Sequence, residues 1–154
     1  MTVSVLDAST FDVDGDAIAR FAQALLAAEG VENNAVLTIR FVGDAEIAEL
    51  NEEHMGRTGP TDVLSFPIED ASPGHPPVSS PGGPPLDLGD ILIATNVVRQ
   101  NADGFEVGFE DELHLMVCHG VLHVLGWDHM TDEEAEAMEA REAQHLSAFG
   151  MVRR

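Results

Sequence analysis

Lysine is absent from this chain and cysteine nearly so. The basic side chains are seven arginines, set against 28 aspartates and glutamates, for a formal net charge of -21. A surface so acidic is first of all a solvated one, and it disfavours a general nucleic-acid-binding module. A polyanionic substrate would have to be met locally, by Arg20, Arg40, Arg57, Arg99 or Arg141 or by divalent cations. The single cysteine, Cys118, excludes an internal disulfide, and the amino-terminal residues lack the basic-then-apolar pattern of a secretory signal. A cytoplasmic location is expected. Long hydrophobic runs are also missing: no stretch approaches the roughly 20 apolar residues that cross a bilayer, so a soluble protein is expected. What remains is 154 residues with 44% hydrophobic content, enough for one domain spanning residues 1–154 with a core that needs no disulfide or structural metal to fold.

Periodicity divides the chain into short elements. Thr2 to Asp7 alternates weakly and reads as a strand. Asp14 then caps a helix presenting Ile18, Phe21, Ala22, Leu25 and Leu26. After the Asn33-Asn34 turn, Val36 to Val42 is β-branched and strand-like, and Gly43-Asp44 opens a helix through Ile47 and Leu50. Gly59-Pro60 breaks the chain before a third short strand, Asp62 to Phe66, stopped by Pro67. The Pro/Gly/Ser-rich stretch Ala71 to Pro85 (71–85) buries too little apolar surface to offset ordering and is expected to be a mobile loop. Leu88 to Ala94 reads as a fourth strand, and Asn96 to about Ala102 as a helix interrupted by Gly104. Leu113, Met116, Val117, Val121 and Val124 describe a mostly buried helix from Phe109 to Leu125, which Gly126 ends. Thr131 and Glu134 form a capping box for a last helix through Ala135, Met138 and Leu146. About four strands and about five helices without strict alternation predict an α+β domain, a mixed sheet packed with helices. Strand order is not readable at this level.

The informative segment is His119-Gly120-Val121-Leu122-His123-Val124-Leu125-Gly126-Trp127-Asp128-His129. Two histidines four apart on a helix project from one face, a spacing suited to two ligands of one metal. His129 would rise about 9 Å beyond His123 in an unbroken helix, too far for metal bonds of about 2 Å. Gly126 lies where the helix must end, because glycine takes the left-handed conformation that turns the chain back. His119, His123 and His129 are therefore the expected metal ligands, with the site at the end of a buried helix. Zinc is the expected ion, one per chain, although nickel, cobalt or copper would also accept three imidazoles. His54, His75, His114 and His145 stand alone and are assigned surface or structural roles.

Three neutral ligands leave a fourth position for water, whose proton the metal makes easier to lose, and this predicts a hydrolase. The alternative is a closed structural site with Asp128 as fourth ligand. Structural zinc prefers cysteines, and Cys118 points away from the His119–His123 face. The spacing also matches H-E-x-x-H-x-x-G-x-x-H of metzincin proteases, but Gly120 stands where their glutamate acts as base, which argues against peptide hydrolysis.

These residues resemble the bacterial YbeY family. Its pattern H-G-x-L-H-x-x-G-x-D-H is matched from His119 to His129. Two further blocks are similar: Pro60-Thr61-Asp62-Val63-Leu64-Ser65-Phe66-Pro67 and Leu88-Gly89-Asp90-Ile91. The resemblance implies a zinc-dependent, single-strand-specific endoribonuclease acting in maturation of small-subunit (16S) ribosomal RNA and in ribosome quality control. It carries the ligand role onto His119, His123 and His129, and it implies ribosomal RNA and the small subunit or its assembly proteins as partners.

Two departures from the family stand out. Met55 occupies a loop position where many members carry arginine, with Arg57 close by, and the insert after Glu69 is longer than the family needs. Arg57 is the candidate for neutralising a phosphate. Asp128 either orients a ligand histidine or caps the turn. Trp127 either stacks a base or packs in the core. Thr61 and Ser65 are candidates for lining the substrate cleft. The rival reading is a non-catalytic, zinc-containing ribosome assembly factor, which suits the acidic surface.

Overall fold

The computed structural model describes residues 1–154. Strand β1 (Thr2–Leu6) leads through a short 3-10 turn at Ser9–Phe11 into helix α1 (Gly15–Ala28), followed by β2 (Ala35–Val42) and α2 (Asp44–Met55). Next come β3 (Val63–Pro67), β4 (Leu86–Ala94), α3 (Thr95–Phe105), α4 (Phe109–Val124) and α5 (Asp132–Ala148). The sheet runs β1-β2-β4-β3. Its first three strands are parallel, and β3 closes the edge antiparallel, with Val63 opposite Ile93. Parallel neighbours require crossovers: α1 joins β1 to β2, and the α2–β3 excursion joins β2 to β4. The α+β expectation holds.

Alternation decides which face each strand buries. On β2, Ala35, Leu37, Ile39 and Phe41 enter the main core, where Phe21, Leu25 and Leu26 of α1 and Leu113, Val117 and Val121 of α4 meet them. Val42, Leu64, Leu92 and Ala94 point the other way, against Ile47 and Leu50 of α2. The main cluster holds 27 buried residues and the second five. With each fully buried large aliphatic side chain contributing about 1.5–3 kcal/mol, the α1–α4–sheet layer holds the fold together. In β4, Leu88 and Ile91 share the core face although they are three apart, because a register shift falls opposite Val36 and Thr38. Gly89 makes this bulge possible. Its φ is +120°, and a Cβ there would stand 2.1 Å from the Phe66 carbonyl oxygen.

The local signals hold at most boundaries to within two residues. Asp14 accepts the Ala17 N–H at 3.1 Å and Thr131 the Glu134 N–H at 3.1 Å, as capping requires. Gly104 does not interrupt α3. The helix runs on to Phe105, and Glu106, at φ 57°, takes the left-handed cap and donates its N–H to the Ala102 and Asp103 carbonyls. The Ala71–Pro85 stretch contains no element beyond a Ser72–His75 bridge. It nevertheless touches the body: Pro77 is buried, and Ser79 donates to Glu32 at 2.8 Å. No helix is long and apolar enough to cross a membrane.

Candidate metal centre

Helix α4 is buried along most of its length because it lies on β3 and β4 with α1, α3 and α5 packed against it. His119 and His123 lie on its remaining partly open side, one turn apart, while Cys118 faces fully into the core. Burial raises the Cys118 thiol pKa, with the charges of Glu142 and Glu29 adding to it, so no thiolate is available as a ligand. Gly120, between the two histidines, lies against β4. A Cβ there would meet Ile91 Cγ2 at 2.8 Å. The site therefore has no room for the metzincin glutamate at this position.

The helix ends after Val124. Gly126, at φ +92°, turns the chain, and Trp127 donates its N–H back to the Leu122 carbonyl at 3.0 Å. Any Cβ on Gly126 would come within 2.1 Å of the Ala71 carbonyl oxygen, so the loop after β3 is seated directly on this turn. The reversal brings His129 to the pair. Ring centroids are 4.4 Å apart for His119 and His123, 5.3 Å for His119 and His129, and 4.9 Å for His123 and His129. One nitrogen from each ring falls within 4.8 Å of the other two.

The hydrogen bonds around the rings select the tautomers. His119 Nδ1 meets Glu142 Oε2 at 2.9 Å, and His123 Nδ1 meets the Trp127 carbonyl oxygen at 2.9 Å. Both partners accept only, so each Nδ1 carries the proton and donates it. In the neutral rings, each Nε2 then presents a lone pair. These two atoms face each other at 2.9 Å, a repulsive arrangement that a cation between them reverses. Two ligands of a tetrahedral zinc stand roughly 3.3 Å apart, so the donor set and its spacing fit such an ion. Burial, with the neighbouring His119 adding to it, lowers the His123 pKa to about 4. His123 is therefore neutral at physiological pH, as a ligand must be.

A cleft of about 550 Å³ opens in front of the three histidines. Arg57, Thr61 and Ser65 line it, together with Trp127, Asp128 and the exposed Met55 and Met130. The structure thus gathers the three histidines with Arg57, Thr61, Ser65, Trp127 and Asp128, whereas Arg20, Arg40, Arg99 and Arg141 lie outside this cleft. Asp128 accepts the backbone N–H of the adjacent His129 at 2.8 Å. Trp127 packs against the main core and also lines the cleft. Ser65 donates its hydroxyl to the Gly120 carbonyl at 3.3 Å, and the Thr61 hydroxyl lies 3.4 Å from Asp62. His54, His75, His114 and His145 do not join the cluster. His114 donates to the Glu110 carbonyl at 2.6 Å, and His145 lies 3.3 Å from Glu29.

Sequence reasoning missed Glu142. Burial alone would raise its pKa, but the hydrogen bonds and charges of His119 and Arg153 hold it below the usual carboxylate range. A signal for it existed. Glu142 follows Met138 by four residues and precedes Leu146 by four, and so occupies the apolar stripe of α5.

The family described as Endoribonuclease YbeY matches residues 6–150 of this chain. A protein of that name from Salinispora tropica is 39% identical over 155 residues, covering 99% of both chains. Another from Bacillus subtilis is 38% identical over 125 residues, covering 81% of this chain and 79% of the relative. A solved solution structure from Thermotoga maritima superposes with a TM-score of 0.59 at 24% identity, covering 96% of this chain and 91% of that one, which establishes likeness of fold.

Proposed function

Since the chain belongs to the YbeY endoribonuclease family, we propose that it hydrolyses single-stranded RNA at a zinc centre held by His119, His123 and His129. We further propose that its substrate is small-subunit (16S) ribosomal RNA undergoing maturation in the cytoplasm. The observation that carries the reading is the convergence of three imidazoles whose lone pairs are directed by hydrogen bonds from behind. A zinc ion supplies Lewis acidity toward a phosphoryl oxygen and toward water.

The chain's own residues supply the rest. Four of the seven arginines, Arg40, Arg141, Arg153 and Arg154, are already paired with carboxylates, and Arg99 lies over the Phe109 ring. Arg57 lines the cleft and is exposed, so its guanidinium is available to a phosphate oxygen and to the charge that builds there in the transition state. It takes over the task of the arginine that Met55 replaces. Thr61 forms part of the wall along which a strand lies, and Trp127 offers an apolar surface to an unpaired base. Asp128 fixes the turn that carries His129 and acts through that ligand's placement.

The test uses one RNA sequence presented single-stranded and as a duplex, with protein before and after metal chelation. Cleavage of the single strand alone, lost on chelation and restored by zinc, is the expected result. Equal cutting of the duplex, or cutting that survives chelation, refutes it. Zinc retention without any cleavage of ribosomal RNA would instead favour the non-catalytic assembly factor, with which the charge of -21 agrees.

A further inference from the structure

Two buried glutamates at this end of the molecule are satisfied in different ways. Glu112 of α4 is 1% exposed and takes Arg154 fork to fork, with Nε to Oε1 at 2.6 Å and Nη2 to Oε2 at 3.1 Å. That is how a buried carboxylate is neutralised when structure is the only requirement. Glu142 of α5 is equally buried but divides its oxygens. Oε1 accepts from Arg153 Nε at 3.1 Å, and Oε2 is turned to His119 Nδ1 at 2.9 Å. The second Arg153 nitrogen goes to Glu139 at 3.6 Å, leaving the fork with Glu142 unmade. A small cavity of about 210 Å³ lies behind His119, lined by Glu142 and both arginines.

We propose that Glu142, braced by Arg153, is a positioning residue for the metal ligand His119. Its carboxylate holds the proton on Nδ1, aims the Nε2 lone pair into the centre, and makes the imidazole a stronger donor than a neutral partner would. His123 has only the Trp127 carbonyl in the corresponding place. Arg153 stops the carboxylate from rotating away and so ties the segment after α5 to the metal ligand. The inference rests on the metal-centre reading above and is independent of whether RNA is the substrate.

The experiment measures zinc and cobalt(II) dissociation constants by competition with a chromophoric chelator. It compares wild type with Glu142→Ala, Glu142→Gln, Arg153→Ala and, as a distant control, Arg40→Ala. Glu142→Ala is expected to weaken binding about 10- to 100-fold, the range typical of lost partners behind a metal-bound imidazole. Glu142→Gln should lie between it and wild type, since the amide oxygen still accepts the Nδ1 proton. Arg153→Ala should weaken binding by a smaller factor and Arg40→Ala should leave it unchanged, while the visible cobalt(II) spectrum shifts in both Glu142 variants. A merely structural Glu142 would lower the urea midpoint of the metal-free protein without moving the affinity or spectrum of the folded fraction.

Both Glu142 variants binding zinc within twofold of a zinc-binding wild type overturns this proposal alone. A wild type that binds no zinc overturns the metal-centre reading with it. Should the variants fail to fold, nitrogen-proton correlation spectra of zinc-loaded wild type decide: a proton on His119 Nδ1 supports the assignment, and one on Nε2 rejects it.

Discussion

Replacing Gly126 by alanine tests how the turn delivers His129. At φ +92° an L-residue is strained by about 1–3 kcal/mol. The added Cβ would also lie 2.1 Å from the Ala71 carbonyl oxygen and 2.5 Å from its carbon. Both are backbone atoms that cannot rotate aside, so overpacking adds about 1–3 kcal/mol. Together the expected loss is about 2–6 kcal/mol, a large part of the roughly 5–15 kcal/mol that stabilises a domain. At roughly 2–4 °C per kcal/mol for a chain of this size, the melting temperature should fall by about 4–24 °C. The more specific consequence concerns the metal. His119 and His123 sit on α4 and stay in place, whereas His129 follows the turn. Zinc affinity of the folded variant should drop at least about tenfold, the lower end of what a lost second-sphere partner costs. Urea unfolding with and without chelator, beside a zinc titration, reads both effects. A variant within about 0.5 kcal/mol of wild type that binds zinc equally well would show that the left-handed turn neither strains the chain nor places His129.

Other perturbations probe separate parts of the account. Gly120→Ala places a methyl 2.8 Å from Ile91 Cγ2 and should cost about 1–3 kcal/mol in urea unfolding, with α4 pushed away from β4. Arg57→Ala removes one charge-assisted contact of about 1.5–3 kcal/mol, so kcat/KM on single-stranded RNA should fall about 10- to 150-fold while zinc content is unchanged; an equal loss of zinc would place Arg57 in metal binding instead. Because a single arginine serves the cleft, the slope of log affinity for RNA against log salt should be shallow, about -1 or less; a slope several times steeper would reveal a basic surface elsewhere. Burial raises the Glu29 pKa, but the hydrogen bonds and charge of Arg141, with His145 3.3 Å away, outweigh it and leave the net value lowered. Its folded pKa is below the unfolded one, so its contribution is fully present above about pH 4.5 and is lost as pH falls through the folded value. Arg141→Ala should therefore move the acid-unfolding midpoint upward, which circular dichroism across pH 2–6 would detect.

Much of this was legible in the chain because the relevant signals are local. Ile18, Phe21, Leu25 and Leu26 announce α1 by spacing alone, and His119, His123, Gly126 and His129 announce a three-histidine cluster able to hold a metal, because ligand geometry constrains neighbours along one helix and one turn. Strand order was not legible, since placing β4 between β2 and β3 depends on pairings such as Ile39 with Ile91 and Val63 with Ile93, far apart in sequence. The same holds for Glu142. It reaches His119 only after α5 folds back on α4, and the neighbouring acids Glu134, Glu136 and Glu139 mask it as one more charge on a solvated helix. Gly104 misled because glycine near a helix end is a common terminator, whereas here Glu106 takes the left-handed position two residues later. Asp128 offered two roles from its position alone. In the structure its carboxylate accepts the N–H of the next residue, His129, a contact set by side-chain rotation.

The most direct test of the central claim is metal content by mass spectrometry together with cleavage of a ribosomal RNA fragment, for wild type and His119→Ala prepared in the same way. The account predicts about one zinc per chain and cleavage for wild type, and neither for a variant that keeps its circular dichroism spectrum. A wild type without metal, or a folded His119→Ala that still cuts RNA at the wild-type rate, would contradict it.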